Sequence, residues 1–578
     1  MISAELIFNG LNMAQREAVT ASQGHLLVVA GPGAGKTLTI IRMIARLIHM
    51  GVSPDQIVAV TFTNRAAREM RERTETFLGT AAHGVFIGTL HMLGLKILRY
   101  HASSDFLIYA RGEQEALIKK TFDMSLPASR TMAERISKVK NGIEKTDDEI
   151  LGMVDRYDSA LAQEHALDFD DLIVKPIALL TERSTSDICG GAFKYIIVDE
   201  YQDINPAEHR LIKLLSERGA WVHAIGDPDQ AIYAFRGADV TNFLNFEEDF
   251  VNAKQIMFTD NYRSTATIVG ASITVVRNNR RRIDRQINPL RETGSRIALM
   301  SLPDERAEGE FIVREIEARL GGTSHHSLRS TNPARDLGDG SYGFADFAIM
   351  YRTNARAAAI EEAFNDSGIP YQVIGARLTD RKRSMTDIIS RLKDYVARTD
   401  DRASGELISA TALVRKVLDE GPMIEGDDTG EYIKECAEFY DMTHTGKTPV
   451  NFVNELTLLT PPDDFDPRAD AVTLMTMHMG KGLEFRTVFI TGVEKGLLPY
   501  EMNGFCDDVE EERRLFYVGM TRAKDELFLT YARSRTIFGK KDVRSPSPFL
   551  NEIPEEYIDA RIMPDRRKKQ EGKQLELF

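Results

Sequence analysis

Residues 26–37, LLVVAGPGAGKT, combine residue types that could bind the phosphate groups of a nucleotide. Four apolar residues predict a short buried strand, and a glycine-rich turn and an amphipathic helix follow. Backbone N–H groups in such a turn point at an anion, and the helix N-terminus adds its dipole. Lys36 would then bridge the β- and γ-phosphates, and the Thr37 hydroxyl would bind Mg²⁺. The glycines that would surround the phosphates are Gly31, Gly33 and Gly35. Ala30 stands where the usual pattern has its first glycine, and an ordinary glycine-rich turn is the alternative interpretation.

Two adjacent carboxylates, Asp199 and Glu200, end another apolar run, YIIVDE at residues 195–200. Asp199 could hold Mg²⁺ through water, and Glu200 could orient and deprotonate an attacking water. A solvated strand end is the alternative interpretation. The position of the pair downstream of a phosphate-binding loop favours nucleotide hydrolysis.

Further residues could complete a nucleotide site. Gln230, in GDPDQAIYAFRGA at residues 226–238, could sense a γ-phosphate, and Arg263, in DNYRST at residues 260–265, could stabilise the charge of phosphoryl transfer. Tyr262 could stack on an adenine ring. The amide of Gln15 has a donor and an acceptor, which suits an adenine edge.

Aromatic and small polar residues follow several predicted strands, and this combination suits the stacking of bases of a single nucleic-acid strand. They are Phe62, Asn64, Thr89, His91, Tyr233 and Phe235. A buried phenylalanine, a loop histidine and a small aromatic core are equally compatible with these residues.

The order of predicted elements indicates the fold. Strands and helices alternate in the first part of the chain, which is typical of a doubly wound parallel sheet with its ligands at the carboxyl ends of the strands. Residues 95–185 are charged and helical, and they read as an insertion. Strands recur without a second phosphate loop at residues 297–302, 347–352, 371–375, 472–477, 487–493 and 526–532. We therefore expect an α/β protein of several domains.

The composition is that of an ordinary globular chain: 578 residues, 43% hydrophobic and 28% charged. The net charge of −14 means that a nucleic-acid partner would need local basic patches, such as the arginine-rich stretches at residues 65–73, 277–285 and 377–383. The widely spaced Cys189, Cys436 and Cys506 predict neither disulfides nor a zinc site, and we expect a cytoplasmic protein without a membrane segment.

In type, order and context, these motifs resemble those of superfamily 1 DNA helicases of the UvrD/Rep/PcrA type. The matching stretches are LNMAQ, AGPGAGKT, TFTNRAAREM, GTLHMLGLKILR, IIVDEYQD, GDPDQAIYAFRGA and NYRS. The resemblance implies two RecA-like motor domains with inserted helical subdomains. It also implies an ATP- and Mg²⁺-dependent motor that moves 3′ to 5′ along single-stranded DNA, engages junctions with duplex, and serves DNA repair or replication restart.

Motifs in the second half extend the resemblance. YRTN, at residues 351–354, resembles a DNA-contacting motif of the family and assigns Arg352 and Asn354 to DNA. LMTMHMGKGLEF, at residues 474–485, implies that His478 contacts DNA and Glu484 the nucleotide sugar. YVGMTRAKDEL, at residues 517–527, supplies Arg522, which resembles a second arginine finger.

The resemblance also predicts domain boundaries. We expect the first motor domain at residues 1–94 and 186–266, its helical insert at 95–185, the second motor domain at 267–387 and 467–553, a reduced insert at 388–466, and a flexible tail at 554–578. RLTDRKRSMTD, at residues 377–387, departs from the family pattern, so no site residue is assigned there. A reduced insert puts duplex engagement in question.

The chain ends in QLELF, at residues 574–578, which resembles the peptide by which bacterial proteins dock on the replication sliding clamp. Packing of this apolar end on its own domain is the alternative.

The oligomeric state and the competing functions are expected as follows. We expect a monomer in solution. The competing functions are a translocase that needs a partner for unwinding, an ATPase-gated scaffold, and a helicase–nuclease, for which the chain offers no nuclease constellation.

Overall fold

The computed structural model describes residues 3–101, 106–182, 193–321, 342–375, 380–398, 409–420, 429–443, 448–458, 466, 468–502, 504–537 and 540–564. The strands are β1 (Leu26–Ala30), β2 (Ile57–Val60), β3 (Phe86–Gly88), β4 (Leu107–Tyr109), β5 (Ala166–Asp168), β6 (Tyr195–Asp199), β7 (Trp221–Gly226), β8 (Lys254–Phe258), β9 (Asp260–Asn261), β10 (Asn288–Pro289), β11 (Ile297–Asp304), β12 (Phe347–Tyr351), β13 (Tyr371–Ile374), β14 (Val472–Thr476), β15 (Phe485–Ile490), β16 (Ala523–Ile537), β17 (Lys540–Val543) and β18 (Ile558–Ile562). The α-helices are α1 (Ala4–Phe8), α2 (Met13–Thr20), α3 (Lys36–His49), α4 (Asn64–Leu78), α5 (Leu90–His101), α6 (Arg111–Phe122), α7 (Leu126–Lys140), α8 (Asp148–Gln163), α9 (Asp171–Glu182), α10 (Pro206–Glu217), α11 (Thr241–Leu244), α12 (Phe246–Asp249), α13 (Ala266–Val276), α14 (Glu305–Arg319), α15 (Ala357–Ser367), α16 (Asp380–Arg398), α17 (Ala410–Asp419), α18 (Thr429–Thr443), α19 (Pro449–Leu458) and α20 (Val509–Met520).

The chain forms two compact units. The first contains Met1–Ala30, Gly35–Phe258 and Arg377–Pro462, and the second contains Gly31–Ala34, Thr259–Ala376 and Asp463–Phe578. Among the residues described, no helix is both long enough and apolar enough to cross a bilayer.

A six-stranded parallel sheet organises the first unit, in the order β3-β2-β6-β7-β1-β8. The strands β1, β2 and β6 are buried along their whole length, as their continuous apolar sequences require in a sheet covered on both faces. The carboxyl ends of β1, β2, β3, β6 and β7 therefore meet at one edge of the sheet. The predicted α/β class is confirmed.

The second unit has its own largely parallel sheet, in the order β13-β14-β12-β15-β16-β11-β18, with β17 antiparallel to β16. Sequence analysis missed β8, at the edge of the first unit's sheet, and β17 and β18 of the second. Strand β18 lies in the stretch predicted to be a flexible tail, and that prediction is wrong for Ile558–Ile562, which pairs with β11. Its sequence IDARI lacks a continuous apolar run because an edge strand is partly exposed to water. Residues 574–578 lie outside the described residues.

The insertion at residues 95–185 contains a small sheet as well as helices. Residues 95–185 were expected to be helical, but Ala166–Asp168 form β5, which pairs in parallel with β4, and α9 begins only at Asp171. The pairing joins residues far apart in the chain, so a local pattern cannot reveal it.

The helices α16 to α19 belong to the first unit and share a hydrophobic core of their own. Buried polar side chains fasten this helical segment to β4. The Asn454 amide accepts a hydrogen bond from the Ile108 N–H at 2.9 Å and donates one to the Phe106 carbonyl at 2.7 Å. The Lys393 ammonium donates to the Ile108 carbonyl and to Glu113, both at 2.6 Å. The strand edge is thus satisfied by side chains in place of another strand.

Candidate functional site

The glycine-rich turn after β1 has the backbone that phosphate binding requires. Gly35 has φ of 80° and caps α3, which begins at Lys36, and Gly33 has φ of 66°. A Cβ atom at Gly35 would lie 2.7 Å from Gln15 Nε2, and one at Gly33 would lie 2.6 Å from Arg263 Cβ. Both positions thus need glycine for conformation and for space.

The Lys36 ammonium lies 3.1 Å from Glu200 Oε1, and both side chains are largely buried. Glu200 has φ of 54°, a left-handed conformation that is uncommon for a residue with a Cβ. Its N–H donates to Asp199 Oδ1 at 3.0 Å. The first unit therefore places the predicted phosphate-binding lysine beside the predicted catalytic acids.

These residues fit a nucleoside triphosphate with Mg²⁺. The backbone of this turn carries no Cβ atom at Gly33 or Gly35, and the N-terminus of α3 and Lys36 supply positive charge there. Thr37 lies in the first turn of α3, and Asp199 ends β6, so an oxygen ligand is available from each. No cluster of three or more His, Cys, Asp or Glu side chains that could hold a metal ion occurs among the described residues.

The Gln15 side chain is buried and takes part in a capping box at the start of α2. Its Oε1 accepts a hydrogen bond from the Asn12 N–H at 3.0 Å. Its Nε2 faces Gly35. The proposed reading of an adenine edge would therefore use the Nε2 side of this amide.

A groove of about 940 Å³ runs along the carboxyl edge of the first unit's sheet. Five residues predicted to contact nucleic acid line it, together with the two acids Asp199 and Glu200. The five are Phe62, Asn64, Thr89, His91 and Phe235. The structure thus brings the predicted base-stacking residues and the predicted hydrolytic acids to one groove.

Aromatic rings form a short stack at this groove. Phe62 and Tyr233 stack with ring centroids 4.7 Å apart, and Phe235, which is 62% exposed, lies 6.0 Å from Tyr233. The Arg236 guanidinium lies over both rings of the pair Tyr233 and Phe235. Tyr233 is buried, so Phe235 is the ring most accessible to a base.

Sequence analysis did not predict the buried acids in the groove lining. Burial raises the pKa of Glu208 to about 7, and Asp203 and Asp170 add to the effect. Burial also raises the pKa of Asp170, to about 6. His91 Nδ1 lies 3.9 Å from Glu208, and burial lowers the pKa of His91 to about 4. The EHR and FDD stretches that carry these acids look like ordinary helix-surface sequence, so only the packing reveals them.

Residues of the second unit surround Arg263. Its Nε lies 2.7 Å from Glu484 Oε2, and its Nη1 donates to the Thr521 carbonyl at 3.3 Å. Lys524 binds the other Glu484 oxygen at 2.7 Å. Burial alone would raise the pKa of Glu484, but these two cations lower it. Within the same unit, the Tyr262 N–H donates to the Gly33 carbonyl at 3.0 Å, and the Tyr262 side chain is exposed.

Arg522, predicted as a second arginine finger, is 2% exposed. Its guanidinium donates to the carbonyls of Val518 and Leu483, at 3.0 and 3.4 Å. These bonds anchor the end of α20 in the second unit. A role at phosphate would require the guanidinium to exchange some of these bonds.

The remaining predicted DNA residues lie at strand ends of the second unit. Arg352 binds both oxygens of Glu512 at 2.7–3.0 Å. Asn354 donates to the Gly375 carbonyl at 3.0 Å, and His478 is half-buried just after β14. The positive charge of Arg352 is already balanced by the Glu512 carboxylate. A contact of Arg352 with DNA would therefore add little net positive charge.

Two family models match this chain. The one described as UvrD/REP helicase N-terminal domain matches residues 11–251, and the one described as UvrD-like helicase C-terminal domain matches residues 256–415 and 429–534. The ATP-dependent DNA helicase PcrA of Bacillus subtilis (strain 168) is 32% identical over 666 residues, which cover 96% of this chain and 87% of that relative.

PcrA proteins of two staphylococci are similarly related. The one from Staphylococcus epidermidis (strain ATCC 12228 / FDA PCI 1200) is 32% identical over 658 residues, covering 96% of this chain and 88% of the relative. The one from Staphylococcus aureus (strain NCTC 8325 / PS 47) is 31% identical over 657 residues, covering 96% and 87%. These alignments are longer than the 578-residue chain, so the relatives carry segments without a counterpart here.

Proposed function

This chain belongs to the UvrD/REP helicase family, and on that basis we propose that it is an ATP-driven motor that moves 3′ to 5′ along single-stranded DNA and separates duplex strands at junctions. The relatives are named ATP-dependent DNA helicases. The observation that carries the proposal is the shared groove, where Glu200 and the aromatic Phe235 border the same space. A conformational change at the bound nucleotide could therefore be transmitted to bound bases through only a few residues.

In the proposed mechanism, Lys36 and the backbone of the glycine-rich turn bind the phosphates, and the Thr37 hydroxyl and the Asp199 carboxylate would hold Mg²⁺, which would offset the negative charge of the phosphates. Glu200 orients and deprotonates the attacking water.

Other residues complete the proposed nucleotide site. Gln230 senses the γ-phosphate, and Arg263 and Arg522 balance the negative charge that develops on it during transfer. Tyr262, Gln15 and Glu484 bind the base and sugar of ATP. Loss of the γ-phosphate then changes the contacts of the protein with DNA. This change is the proposed translocation step.

A translocase that needs a partner for unwinding is the second candidate. The short helical segment α16 to α19 favours it, because buried Asn454 and Lys393 fasten the segment to β4. A segment attached in this way is less available for engaging duplex. The peptide at residues 574–578 would supply the partner by docking on a sliding clamp, which tethers the motor to DNA at high local concentration.

Strand separation distinguishes the two. We propose to measure unwinding of a duplex with a 3′ tail and of the same duplex with a 5′ tail, each with ATP and Mg²⁺. Unwinding of the 3′-tailed substrate alone is expected for the helicase. Absence of unwinding on both, with ATP hydrolysis still stimulated by single strands, would favour the translocase. Unwinding from the 5′ tail alone would contradict the proposed polarity.

Deletion of residues 574–578 tests the tail separately. The deletion should leave ATP hydrolysis unchanged and abolish capture of the protein by an immobilised sliding clamp. Retained capture would refute the docking proposal. A role in repair or replication restart follows only if such tethering or an equivalent partner is found.

A further inference from the structure

A buried amide, Gln202, joins the hydrolytic carboxylate to the loop that carries the base-stacking aromatics. Gln202 lies in the turn Tyr201–Asp203 directly after β6 and is 0% exposed. Its Nε2 donates a hydrogen bond to Glu200 Oε2, and its Oε1 accepts one from the Asp227 N–H at 3.0 Å. Both ends of the amide are therefore engaged, each with a different loop.

The bonds continue beyond Asp227. The Asp227 carboxylate accepts hydrogen bonds from Gln230 Nε2 at 2.7 Å and from the Asp229 N–H at 3.0 Å. All three of these residues are nearly fully buried. The same loop then leads to Tyr233, which stacks on Phe62. A continuous set of hydrogen bonds thus runs from Glu200 to Gln230, the proposed γ-phosphate sensor, and the chain continues from Gln230 to Tyr233.

The packing at Gly226 gives independent support. This residue ends β7 immediately before Asp227. A Cβ atom there would overlap Gln202 Oε1 and would lie 2.8 Å from the ring of Phe243. The space that glycine leaves open is occupied by the Gln202 amide, so the position of Gln202 depends on both strands β6 and β7.

We propose that Gln202 is a positioning residue that couples DNA binding to ATP hydrolysis. Through Nε2 it holds the Glu200 carboxylate in place when the Lys36 ammonium turns to phosphate. Through Oε1 it fixes the start of the loop that bears Gln230 and Tyr233. A shift of the aromatic stack on binding DNA would then change the orientation of the water-activating carboxylate. This inference rests on the proposed role of Glu200.

Two substitutions test the hydrogen bonds of the Gln202 amide. Gln202→Met keeps the approximate volume and removes both hydrogen bonds. Gln202→Glu keeps an acceptor for the Asp227 N–H but sets a carboxylate against Glu200. Both should lower kcat for ATP by about tenfold or more, with KM for ATP within about threefold, because the group positioned is the general base and not a nucleotide-binding group. Stimulation of hydrolysis by single-stranded DNA should be lost in both variants, because each breaks the connection between the Glu200 carboxylate and the loop that begins at Asp227.

Gly226→Ala tests the same Gln202 connection from the end of β7. Its methyl group should displace the Gln202 amide and reduce DNA stimulation. The double variant Gly226→Ala/Gln202→Met should be no worse than the more affected single variant, because both changes break one connection. Additive losses would mean that Gly226→Ala acts by crowding Phe243, and would remove this support for the link.

Glu200→Gln, measured in parallel, separates failure of this inference from failure of the proposed function. Normal kcat and normal DNA stimulation in Gln202→Met, with Glu200→Gln inactive, would overturn the positioning role alone. Rapid hydrolysis by Glu200→Gln would overturn the assignment of the base itself. Binding of a fluorescent ATP analogue to each variant checks that the nucleotide site is folded. If Gln202→Met fails this check, Gln202→Glu replaces it, and the same loss of kcat is required of that variant.

Discussion

Phe62 and Tyr233 stack with their ring centroids 4.7 Å apart and their planes inclined by 21°, although they follow different strands, β2 and β7. The contact joins two loops at the carboxyl edge of the first unit's sheet, and Phe62 itself lines the groove. We call this stacked pair the aromatic floor of the proposed DNA path.

Replacement of Tyr233 by alanine should weaken binding of single-stranded DNA. Tyr233 supports both Phe62 and Phe235, and stacking on aromatic residues contributes about 1–3 kcal/mol per base, so we expect a loss of affinity of about 5- to 100-fold. Fluorescence anisotropy with a labelled oligonucleotide at fixed salt measures this. Tyr100→Ala, at an exposed tyrosine of α5 outside the groove lining, is the matched control and should bind normally. Equal affinities for the two variants would contradict the aromatic floor.

Lys36→Ala should abolish ATP hydrolysis, with a fall of about 100-fold or more, because the Lys36 ammonium is the group proposed to bridge the β- and γ-phosphates. Glu200→Gln should retain nucleotide binding and stall turnover, since the amide cannot accept the proton of water. Steady-state hydrolysis and binding of a fluorescent ATP analogue distinguish the two effects. Exposed Lys120 in α6, paired with Glu164, offers the control Lys120→Ala, which should hydrolyse ATP normally. Tight nucleotide binding by Lys36→Ala would count against the phosphate-binding role.

Affinity for single-stranded DNA should fall as the pH rises from about 5 to about 8. Glu208 and Asp170 line the groove with pKa values raised to about 7 and about 6, so both become negatively charged across this interval. His91 has a pKa of about 4 and stays neutral throughout, and Asp203 adds negative charge on the same side. The DNA backbone is then repelled more strongly at the higher pH.

Glu208→Gln should flatten this pH dependence while keeping the capping box that Glu208 forms with Asn205 at the start of α10. The same raised pKa makes the free energy of unfolding depend on pH. The pKa of Glu208 is raised above its ordinary 4.5, so its contribution to folding is fully present below pH 4.5 and is lost as the pH rises through about 7. Anisotropy titrations at several pH values check the first point. An unchanged pH profile in the variant would exclude Glu208 as its source.

Asn454→Ala should loosen the attachment of the helical segment to β4. The substitution leaves the Ile108 N–H and the Phe106 carbonyl without their side-chain partner, at a cost of about 2–5 kcal/mol in local stability. Hydrogen exchange of peptides covering β4 should accelerate accordingly. Glu438→Gln, at an exposed position of α18, is the control and should not alter exchange there. Unchanged protection of β4 in Asn454→Ala would mean that the segment is not held through this residue.

Much of the nucleotide site could be predicted because its chemistry uses contiguous residues. A glycine-rich turn at residues 31–37 follows one apolar strand, and the acidic pair Asp199 and Glu200 ends another. Both can therefore be identified from residue type alone. The parallel sheets followed from the alternation of strands and helices. Edge strands such as β18 escaped because exposure to water removes the continuous apolar run that marks a buried strand.

Interactions between distant parts of the chain could not be predicted. The Gln202 amide bonded to Asp227, the Asn454 amide bonded to the edge of β4, and Glu208 beside His91 all join residues with no local pattern. Each side chain is polar and would be placed on the surface by its type alone. Burial turns each into a specific connection because an unpaired polar group in the interior costs free energy.

The most direct test of the account is the direction of movement on single-stranded DNA, which does not depend on unwinding. Oligonucleotides of increasing length, labelled with a fluorophore at either the 5′ or the 3′ end, would be mixed with the protein, ATP and Mg²⁺ in a stopped-flow instrument. Arrival at the 5′ end, with a delay that grows with length and disappears in Lys36→Ala, is the predicted result. Arrival at the 3′ end, or signals independent of length and ATP, would contradict a 3′-to-5′ motor.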